Sequence, residues 1–357
     1  MTLRFPTMWY SILLIEAALI IPISAKLQAA GVSDKPMIIA HRGASGYLPE
    51  HTLASKALAH AMKADFLEQD LVMTKDNHLI VFHDLTLQDK TDVVDKFPDK
   101  KRADNNYYVI DFTLDEIRQL ELLSTESPGA RLPFSTFAAA PSELSMKIPT
   151  FEEEIEFIQR LNLTREAPVG LYIEIKAPQM HQEQGKDITS KLYNQLMDAQ
   201  QQLADTPIII QSFDAKALTK LRGKLDNANW YIPIVQLIGE NGWQQAYQNV
   251  DGKSQAFNYQ RMAEDSGLKE IASYAQGIGI NVKHVFADDC SYQGGKRWIQ
   301  QAQNSGLMVH AFTFRRDKLP NCTTSFKQLH QLFFKELSID GIFTDYPDVS
   351  AYYRDNE

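Results

Sequence analysis

Short apolar runs alternate along the chain with longer segments in which apolar residues recur at helical spacing. We predict strands at eight of the apolar runs: Met37–His41, Phe66–Leu71, Val169–Lys176, Pro207–Phe213, Tyr231–Ile238, Gly277–Val282, Leu307–Phe314 and Asp340–Asp345. The helices predicted between them include Thr52–Lys63, Asp187–Ala204, Ala215–Lys224, Gly295–Asn304 and Ser325–Leu337. Strands that alternate with helices pair in parallel, and eight such units predict a (β/α)₈ TIM barrel. An open doubly wound sheet is the alternative, but the chain has no G-x-G-x-x-G turn to support a dinucleotide site.

The alternation breaks after the second strand. A further apolar run, Leu79–Phe82, predicts a hairpin that returns His83 to the same rim of the barrel. Residues 85–147 then form a polar stretch that is too long for an ordinary loop. The capping-box pattern at Thr113–Glu116 and Thr150–Glu153 predicts two helix starts. We predict that residues 85–147 are a small insertion that caps the barrel mouth, with a solvent-exposed excursion as the alternative.

The beginning of the chain is typical of an export signal. The segment Trp9–Ala25 is mostly apolar and small residues follow it. Because Glu16 interrupts the segment, it would make a poor membrane span. We predict a signal peptide, residues 1–30, that is cleaved near residues 25–30 to leave one domain, 31–357. An uncleaved anchor is the alternative.

Composition restricts the classes of function. Acidic residues outnumber basic ones by 45 to 36, for a formal charge of −9, which argues against a general nucleic-acid binder. It does not argue against a phosphate substrate, since a local cation can override the global charge. The two cysteines, Cys290 and Cys322, are too few for a zinc cluster. They could pair in an oxidising compartment, but we expect two unconnected thiols, since a disulfide requires a close approach of the two backbones.

Three carboxylates are placed to share a cation. Glu68 and Asp70 are two residues apart on a predicted strand, so their side chains point to one face. Glu174 and Lys176 repeat that spacing on the next barrel strand. Carboxylates without nearby thiolates suit a hard divalent cation, Ca²⁺ or Mg²⁺. The alternative is an outward-facing, solvated pair on each strand.

Two histidines and an arginine follow apolar runs near these carboxylates. His41 and His83 can divide the general base and general acid roles near neutral pH, although either one alone would suggest a hydrogen-bonded core histidine. Arg42 suits bidentate binding of phosphate oxygens. Glu50 could orient a histidine or complement a helix dipole.

In their order and spacing, these motifs resemble the glycerophosphodiester phosphodiesterase family, and its exported bacterial branch in particular. The motifs that carry the resemblance are His41-Arg42-Gly43-Ala44, Pro49-Glu50-His51-Thr52, Glu68-x-Asp70, Phe82-His83-Asp84, Glu174-Ile175-Lys176, Gln211-Ser212-Phe213-Asp214 and Gly341-Ile342-Phe343-Thr344-Asp345-Tyr346-Pro347. One position departs from the family pattern, because asparagine commonly follows Pro-Glu where this chain has His51.

The resemblance implies a TIM barrel with a small insertion and a divalent metal, commonly Ca²⁺ in the exported branch, with Mg²⁺ as the alternative. It implies the following roles: metal ligands Glu68, Asp70 and Glu174; catalytic base and acid His41 and His83; phosphate contact Arg42; and a basic residue beside the metal, Lys176. From their positions at strand ends, we also predict that Gln211, Phe213 and Phe314 line the substrate pocket, with ordinary barrel core as the alternative.

The activity that the resemblance implies is metal-dependent hydrolysis of glycerophosphodiesters to sn-glycerol 3-phosphate and an alcohol, in the periplasm. We expect small-molecule substrates, no nucleic-acid partner and no stable membrane anchoring, and a homodimer remains an option. The rival interpretations are a phospholipase-type barrel and a binding protein for glycerol phosphates that lacks turnover.

Overall fold

The structure is a computed structural model that describes residues 35–123, 146–243, 246–250 and 253–356. The predicted signal peptide and residues 124–145 of the predicted insertion lie outside the described residues. Within these described ranges, no helix has both the length and the apolar character needed to cross a membrane.

The centre of the molecule is a closed barrel of eight parallel strands. The described residues form these strands, of which β3, β7 and β8 lie outside the barrel: β1 (Met37–Ala40), β2 (Phe66–Met73), β3 (Leu79–Val81), β4 (Gly170–Ile175), β5 (Ile208–Ser212), β6 (Ile234–Ile238), β7 (Tyr247–Val250), β8 (Lys253–Ala256), β9 (Gly277–Asn281), β10 (Met308–Phe314) and β11 (Gly341–Thr344). The barrel order is β1-β11-β10-β9-β6-β5-β4-β2, and pairing of β1 with β2 closes it. The predicted (β/α)₈ TIM barrel and its eight strands are therefore confirmed.

Helices surround the barrel. They are α1 (Leu53–Ala61), α2 (Val93–Lys96), α3 (Leu114–Ile117), α4 (Phe151–Asn162), α5 (Pro178–Glu183), α6 (Ile188–Asp198), α7 (Ala215–Asn227), α8 (Asp265–Ala272), α9 (Gln293–Asn304), α10 (Phe326–Gln331) and α11 (Pro347–Asn356). Two predicted helices are shorter than expected: α6 ends at Asp198, and α10 passes into a π-helical turn, Leu332–Glu336. The antiparallel pair β7–β8 was not predicted.

The predicted hairpin after the second strand is confirmed, and it lengthens β2. Phe66 and Leu67 of β2 pair with β1. From Leu71 to Met73 the same edge of β2 pairs with the antiparallel strand β3 instead. This exchange of partners keeps the edge of β2 hydrogen-bonded above the barrel and brings His83 back to the rim.

Strand alternation divides the barrel interior into an apolar floor and a polar layer. The floor contains Met37, Ile39, Phe66, Tyr172, Ile209, Val235 and Phe343. Two residues further along their strands, the same inward face carries Glu68 above Phe66 and Glu174 above Tyr172, because side chains repeat every second residue. The polar groups therefore lie on packed aromatic and aliphatic side chains at the carboxyl ends of the strands.

The described part of the insertion forms a small core of its own against β2 and β3. It buries Leu87, Val93, Tyr107, Val109, Phe112, Ile117 and Leu120 with Val72, Ile80 and Phe82 of the hairpin. Both predicted capping boxes are present, with Thr113 and Thr150 each accepting the backbone N–H of the glutamate three residues later. The described part of the insertion thus extends the hairpin that carries His83.

Our expectation for the cysteines is wrong. Cys290 and Cys322 form a disulfide, with a Cα–Cα distance of 5.2 Å. The bond joins the loop before α9 to the loop before α10. The close approach that it needs comes from neighbouring positions around the barrel, which the sequence separation does not reveal.

Candidate active site and metal centre

Three buried carboxylates meet where β2 and β4 end. Glu68, Asp70 and Glu174 each offer an oxygen atom, and these atoms lie within 4.8 Å of one another. Asp70 stands directly beside Glu174 in the parallel register of the two strands. Oδ1 of Asp70 is buried and has no hydrogen-bond partner among the described residues. An all-oxygen set with an unsatisfied ligand atom fits a hard divalent cation.

The pKa values of the three carboxyl groups reflect the free-energy cost of placing three negative charges together in a buried site. Burial, together with the charge of Asp70, raises the pKa of Glu174 to about 7 despite the opposing Lys176. Burial and the charge of Asp70 also raise the pKa of Glu68 well above its usual range. Burial alone would raise the pKa of Asp70 too, but positive charge from Lys176 holds it well below its ordinary value. Burial and mutual repulsion thus oppose ionisation of these carboxyl groups, and a bound cation would relieve that cost.

Two polar side chains of neighbouring strands hold the carboxylates in place. Lys176 Nζ lies 2.8 Å from Glu174 Oε1 and 3.7 Å from Asp70 Oδ1. Gln211 Nε2 donates to Glu68 Oε1 at 3.3 Å. These contacts leave the cluster open toward the barrel mouth.

A tight loop after β1 presents Arg42 to the cluster. Arg42 has a left-handed backbone, φ 57°, and its N–H donates to Glu68 Oε2 at 2.7 Å. Gly43 is required next, since its φ is +89° and a Cβ there would lie 2.5 Å from Ser55 Oγ. The guanidinium donates from Nη1 to Glu50 Oε2 at 2.8 Å, and its Nε lies 3.4 Å from Asp70 Oδ2. Glu50 therefore orients the arginine rather than a histidine.

The departure at position 51 has a structural role. Nε2 of His51 lies 2.8 Å from Asp70 Oδ2, and both side chains are buried. Burial lowers the pKa of His51 to about 3, so the ring is neutral. Since a carboxylate only accepts hydrogen bonds, Nε2 carries the proton and donates it to Asp70. His51 thus orients one of the three clustered carboxylates.

Each of the two predicted catalytic histidines is held by a carboxylate. His41 Nδ1 lies 2.7 Å from Asp345 Oδ1, and His83 Nδ1 lies 2.5 Å from Asp84 Oδ1. Each Nδ1–H donates to its carboxylate, which directs proton exchange to Nε2. Burial, with the nearby cations Arg42 and Lys176, lowers the pKa of His83 to about 4, so this ring is neutral near pH 7.

No pattern in the sequence predicts Asp345 as the partner of His41. The two residues are 304 positions apart. Asp345 follows β11, the strand beside β1, and its Oδ2 is 3.3 Å from Arg315 Nε. The available signal was Asp345 within the motif Gly341–Pro347, but nothing in the motif pointed to a histidine.

One cavity of about 230 Å³ joins these groups. Its polar side is lined by His41, Arg42, Glu68, His83, Glu174, Lys176 and Gln211, and its other side by Phe213, Leu237, Trp243, Asn281, Phe312, Thr313 and Phe343. The structure therefore places Gln211 and Phe213 at the cavity, as expected from their positions at strand ends. Trp243, Asn281 and Phe312 had no signal in the sequence.

The structure corrects the prediction for Phe314. Its side chain is fully buried behind β10, where it packs edge-on against Phe333 and His330. The pairing of β10 with β11 shifts between Ala311 and Phe314, so the residue does not continue the inward alternation. Phe312 lines the cavity in its place.

Comparison with known proteins gives the family. The model of the glycerophosphoryl diester phosphodiesterase family matches residues 41–349. A glycerophosphodiester phosphodiesterase of Haemophilus influenzae is 38% identical over 334 residues, which cover 90% of either chain. A glycerophosphodiester phosphodiesterase of Treponema pallidum is 32% identical over 338 residues, covering 91% of this chain and 93% of that protein.

The fold agrees with a solved structure. A phosphodiesterase of Oleispira antarctica, determined with the product sn-glycerol 3-phosphate, has a TM-score of 0.61 at 20% identity. The match covers 90% of this chain and 98% of that one. The chain therefore belongs to the glycerophosphoryl diester phosphodiesterase family and is an enzyme of that class.

Proposed function

We propose that this protein hydrolyses glycerophosphodiesters, such as glycerophosphocholine, to sn-glycerol 3-phosphate and a free alcohol in a metal-dependent reaction. The observation that carries the proposal is the grouping of three buried carboxylates with two histidines, each held by its own carboxylate, around one cavity. The activity named for the Haemophilus and Treponema relatives agrees with it, as does the product bound to the Oleispira enzyme.

Glu68, Asp70 and Glu174 are the residues that would hold the metal. Their oxygen atoms favour a hard cation, and we propose Ca²⁺ as the native ion, with Mg²⁺ as the alternative. A divalent cation bound by them supplies Lewis-acid polarisation of a phosphoryl oxygen. Gln211 and His51 orient two of the three carboxylates toward that role.

Arg42 and Lys176 bind the phosphate of the substrate. Contacts with Glu50 and Asp70 immobilise the guanidinium of Arg42, whose planar fork matches two phosphate oxygens. The opposite, largely apolar wall, which includes Phe213, contacts the carbon skeleton of the substrate and excludes water. The cavity thus orients the diester between cationic and apolar surfaces.

His41 and His83 divide the proton transfers. One ring accepts the proton of the attacking hydroxyl group at Nε2, and the other donates its proton to the leaving alcohol. His83 is neutral in the substrate-free protein, which is the state that a general base requires. Attack by the glycerol 2-hydroxyl gives a cyclic phosphate that water then opens, whereas direct attack by water gives none. Product analysis during turnover separates these two routes.

The test is release of glycerol 3-phosphate from glycerophosphocholine by chelator-stripped protein, with Ca²⁺ or Mg²⁺ added back. We expect activity to return with metal and to be lost in the Glu174→Gln and His41→Ala variants. The matched controls are Glu156→Gln and His78→Ala, which change exposed residues and should retain activity. Folded protein that releases no product with either metal, across several head groups, overturns the proposal.

We also propose that the protein is exported to the periplasm. The apolar segment Trp9–Ala25 supports export, and so does the disulfide Cys290–Cys322, since disulfides persist in oxidising compartments. Cell fractionation of the full chain and of a chain lacking residues 1–30 tests this. The full chain should be periplasmic and shortened, and the truncated chain should stay in the cytoplasm. A full chain recovered unprocessed from the cytoplasm contradicts the proposal.

A further inference from the structure

Lys90, a residue of the insertion, lies between two carboxylates at the rim of the active site. Its Nζ donates to Glu50 Oε1 and lies 3.3 Å from Asp84 Oδ2. The lysine side chain is 17% exposed, so this ammonium is largely withdrawn from water. Lys90 is not among the residues that line the cavity. Any effect that it has on the reaction therefore passes through the two carboxylates.

These two carboxylates orient different parts of the site. Glu50 accepts a hydrogen bond from Arg42 Nη1 at 2.8 Å, and Asp84 accepts one from His83 Nδ1 at 2.5 Å. The same ammonium therefore contacts the acceptor that fixes the arginine and the acceptor that fixes the histidine ring. This arrangement links Arg42 and His83 through a single cation.

Without that cation, the two carboxylates would face each other across a partly buried gap. Burial alone would raise the pKa of Glu50, but Arg42 and Lys90 hold it well below its ordinary range. Burial also opposes ionisation of Asp84, whereas His83 and Lys90 lower its pKa to about 2, against the charge of Glu50. Loss of Lys90 would leave two like charges with no cation between them and free both side chains to move apart.

The insertion sets the position of Lys90. The Lys90 N–H donates to Leu87 O at 3.2 Å, and the Lys90 carbonyl accepts the N–H of Leu123 at 2.8 Å. Leu87 is fully buried in the small core of the insertion. Both ends of the described segment 85–123 thus anchor the backbone of this one residue, and its side chain leaves the insertion toward the barrel mouth.

We infer that Lys90 is a positioning residue for the reaction. Its ammonium group, supplied by the insertion, holds both the carboxylate that orients Arg42 and the carboxylate that orients His83. The inference rests on the proposed roles of Arg42 and His83. It gives the insertion a function, namely to hold Arg42 and His83 of the proposed site in one arrangement.

The test compares Lys90→Met and Lys90→Arg with a matched control, Lys96→Met. Lys96 belongs to the same insertion and also pairs with a carboxylate, Asp92 at 2.8 Å. With metal present, Lys90→Met should lower kcat about 10- to 100-fold and raise KM. The decrease in kcat is part of the rate enhancement of about 10²- to 10⁴-fold that a positioned acid or base contributes. Lys90→Arg should keep kcat and KM within about threefold of the values of the unmodified protein, because a guanidinium can also bridge two carboxylates. Lys96→Met should match the unmodified protein.

Two further measurements separate positioning from a general effect on folding. In an Asp84→Asn background, Lys90→Met should lower kcat by a smaller factor than it does alone, since the loss that passes through Asp84 and His83 is already present and only the loss through Glu50 and Arg42 remains. Nitrogen-15 spectra of the histidine rings should show His83 protonated at Nδ1 in the unmodified and Lys96→Met proteins. In Lys90→Met, the two neutral tautomers should be mixed.

The spectra do not depend on turnover, so they keep this inference separate from the proposed function. An inactive unmodified protein would refute the proposed hydrolysis, and the tautomer of His83 in Lys90→Met would then decide the role of Lys90. The inference is overturned by an unchanged His83 tautomer in Lys90→Met. It is also overturned by equal losses of kcat in Lys96→Met, or by fully additive losses with Asp84→Asn.

Discussion

The contact between His41 and Asp345 yields the sharpest prediction. Asp345 accepts from His41 Nδ1 at 2.7 Å, and its other oxygen lies 3.3 Å from Arg315 Nε. In an Asp345→Asn variant, the new side chain has one acceptor and one donor. Because the guanidinium only donates, the amide oxygen would turn toward Arg315 and the NH₂ group toward His41. His41 would then carry its proton on Nε2, the wrong atom for accepting one from a substrate.

The expected decrease in kcat follows from the lost hydrogen bond between His41 and the charged Asp345. A hydrogen bond to a charged group contributes about 1.5–3 kcal/mol. At about 1.4 kcal/mol for each factor of ten, this predicts a decrease in kcat of about 10- to 150-fold. KM should change little, since Asp345 does not line the cavity. The assay is steady-state release of glycerol 3-phosphate from glycerophosphocholine with saturating metal.

A second variant tests the reasoning on orientation. Replacing Arg315 by Met in the Asp345→Asn protein removes the group that turns the amide, so part of the lost kcat should return. The control is Asp348→Asn, which changes an aspartate that accepts from Tyr47 instead of a histidine. A folded Asp345→Asn protein with kcat within about twofold of the unmodified enzyme would refute the argument.

Three further predictions concern stability, measured by urea unfolding. Lys56→Met leaves the buried carboxylate of Glu154 without its cation, so the free energy of unfolding should fall by about 3–5 kcal/mol. The double variant Lys56→Met/Glu154→Leu should recover most of this lost stability. The double variant Cys290→Ser/Cys322→Ser should lose about 4 kcal/mol, as expected for opening a cross-link that spans 32 residues. Burial lowers the pKa of His310 to about 3, so the unfolded chain binds a proton below pH 6.5 that the folded protein does not. The contribution of His310 to the free energy of unfolding should be constant above pH 6.5 and decrease as the pH falls below 6.5. His310→Asn should therefore reduce the slope of stability against pH in this acidic range by about 1.4 kcal/mol per pH unit.

The Lys56 and His310 predictions each have a control on the protein surface. Lys220→Met breaks an exposed ion pair with Asp187 and should change stability by less than about 1 kcal/mol. His78→Asn alters a half-exposed ring and should leave the pH slope unchanged. A Lys56→Met protein as stable as Lys220→Met, an unchanged slope in His310→Asn, or an unaltered unfolding midpoint without the disulfide would contradict the respective argument.

Local pattern was sufficient for the barrel and for the acidic cluster. A strand that is buried on both faces reads as a continuous apolar run, as Met37–Ala40 does, and this property does not depend on which strand pairs with it. The two-residue spacing of Glu68 and Asp70 places both carboxylates on one face, because side chains alternate along any strand. Because the carboxyl ends of parallel strands share one rim, Glu174 could be assigned to the same site before any contact was known.

Register was not predictable where a strand is irregular. Phe314 was expected at the cavity because it lies at the end of the predicted strand Leu307–Phe314. The structure shifts the pairing between Ala311 and Phe314 and turns the phenyl ring into the layer of helices. Such a shift depends on how the strand packs against its neighbours, and one residue of offset exchanges the two faces of a sheet.

The barrel, the three clustered carboxylates and the two histidines of the candidate site could be predicted from the sequence, since each of these depends on residue types at short spacing. Folding of the whole chain, with closure of the barrel, selects the distant partners of these groups. It brings Asp345 to His41 across 304 residues, lets the insertion reach the rim with Lys90, and joins Cys290 to Cys322. These contacts join residues that are adjacent only in space, so no local pattern of the chain could have recorded them.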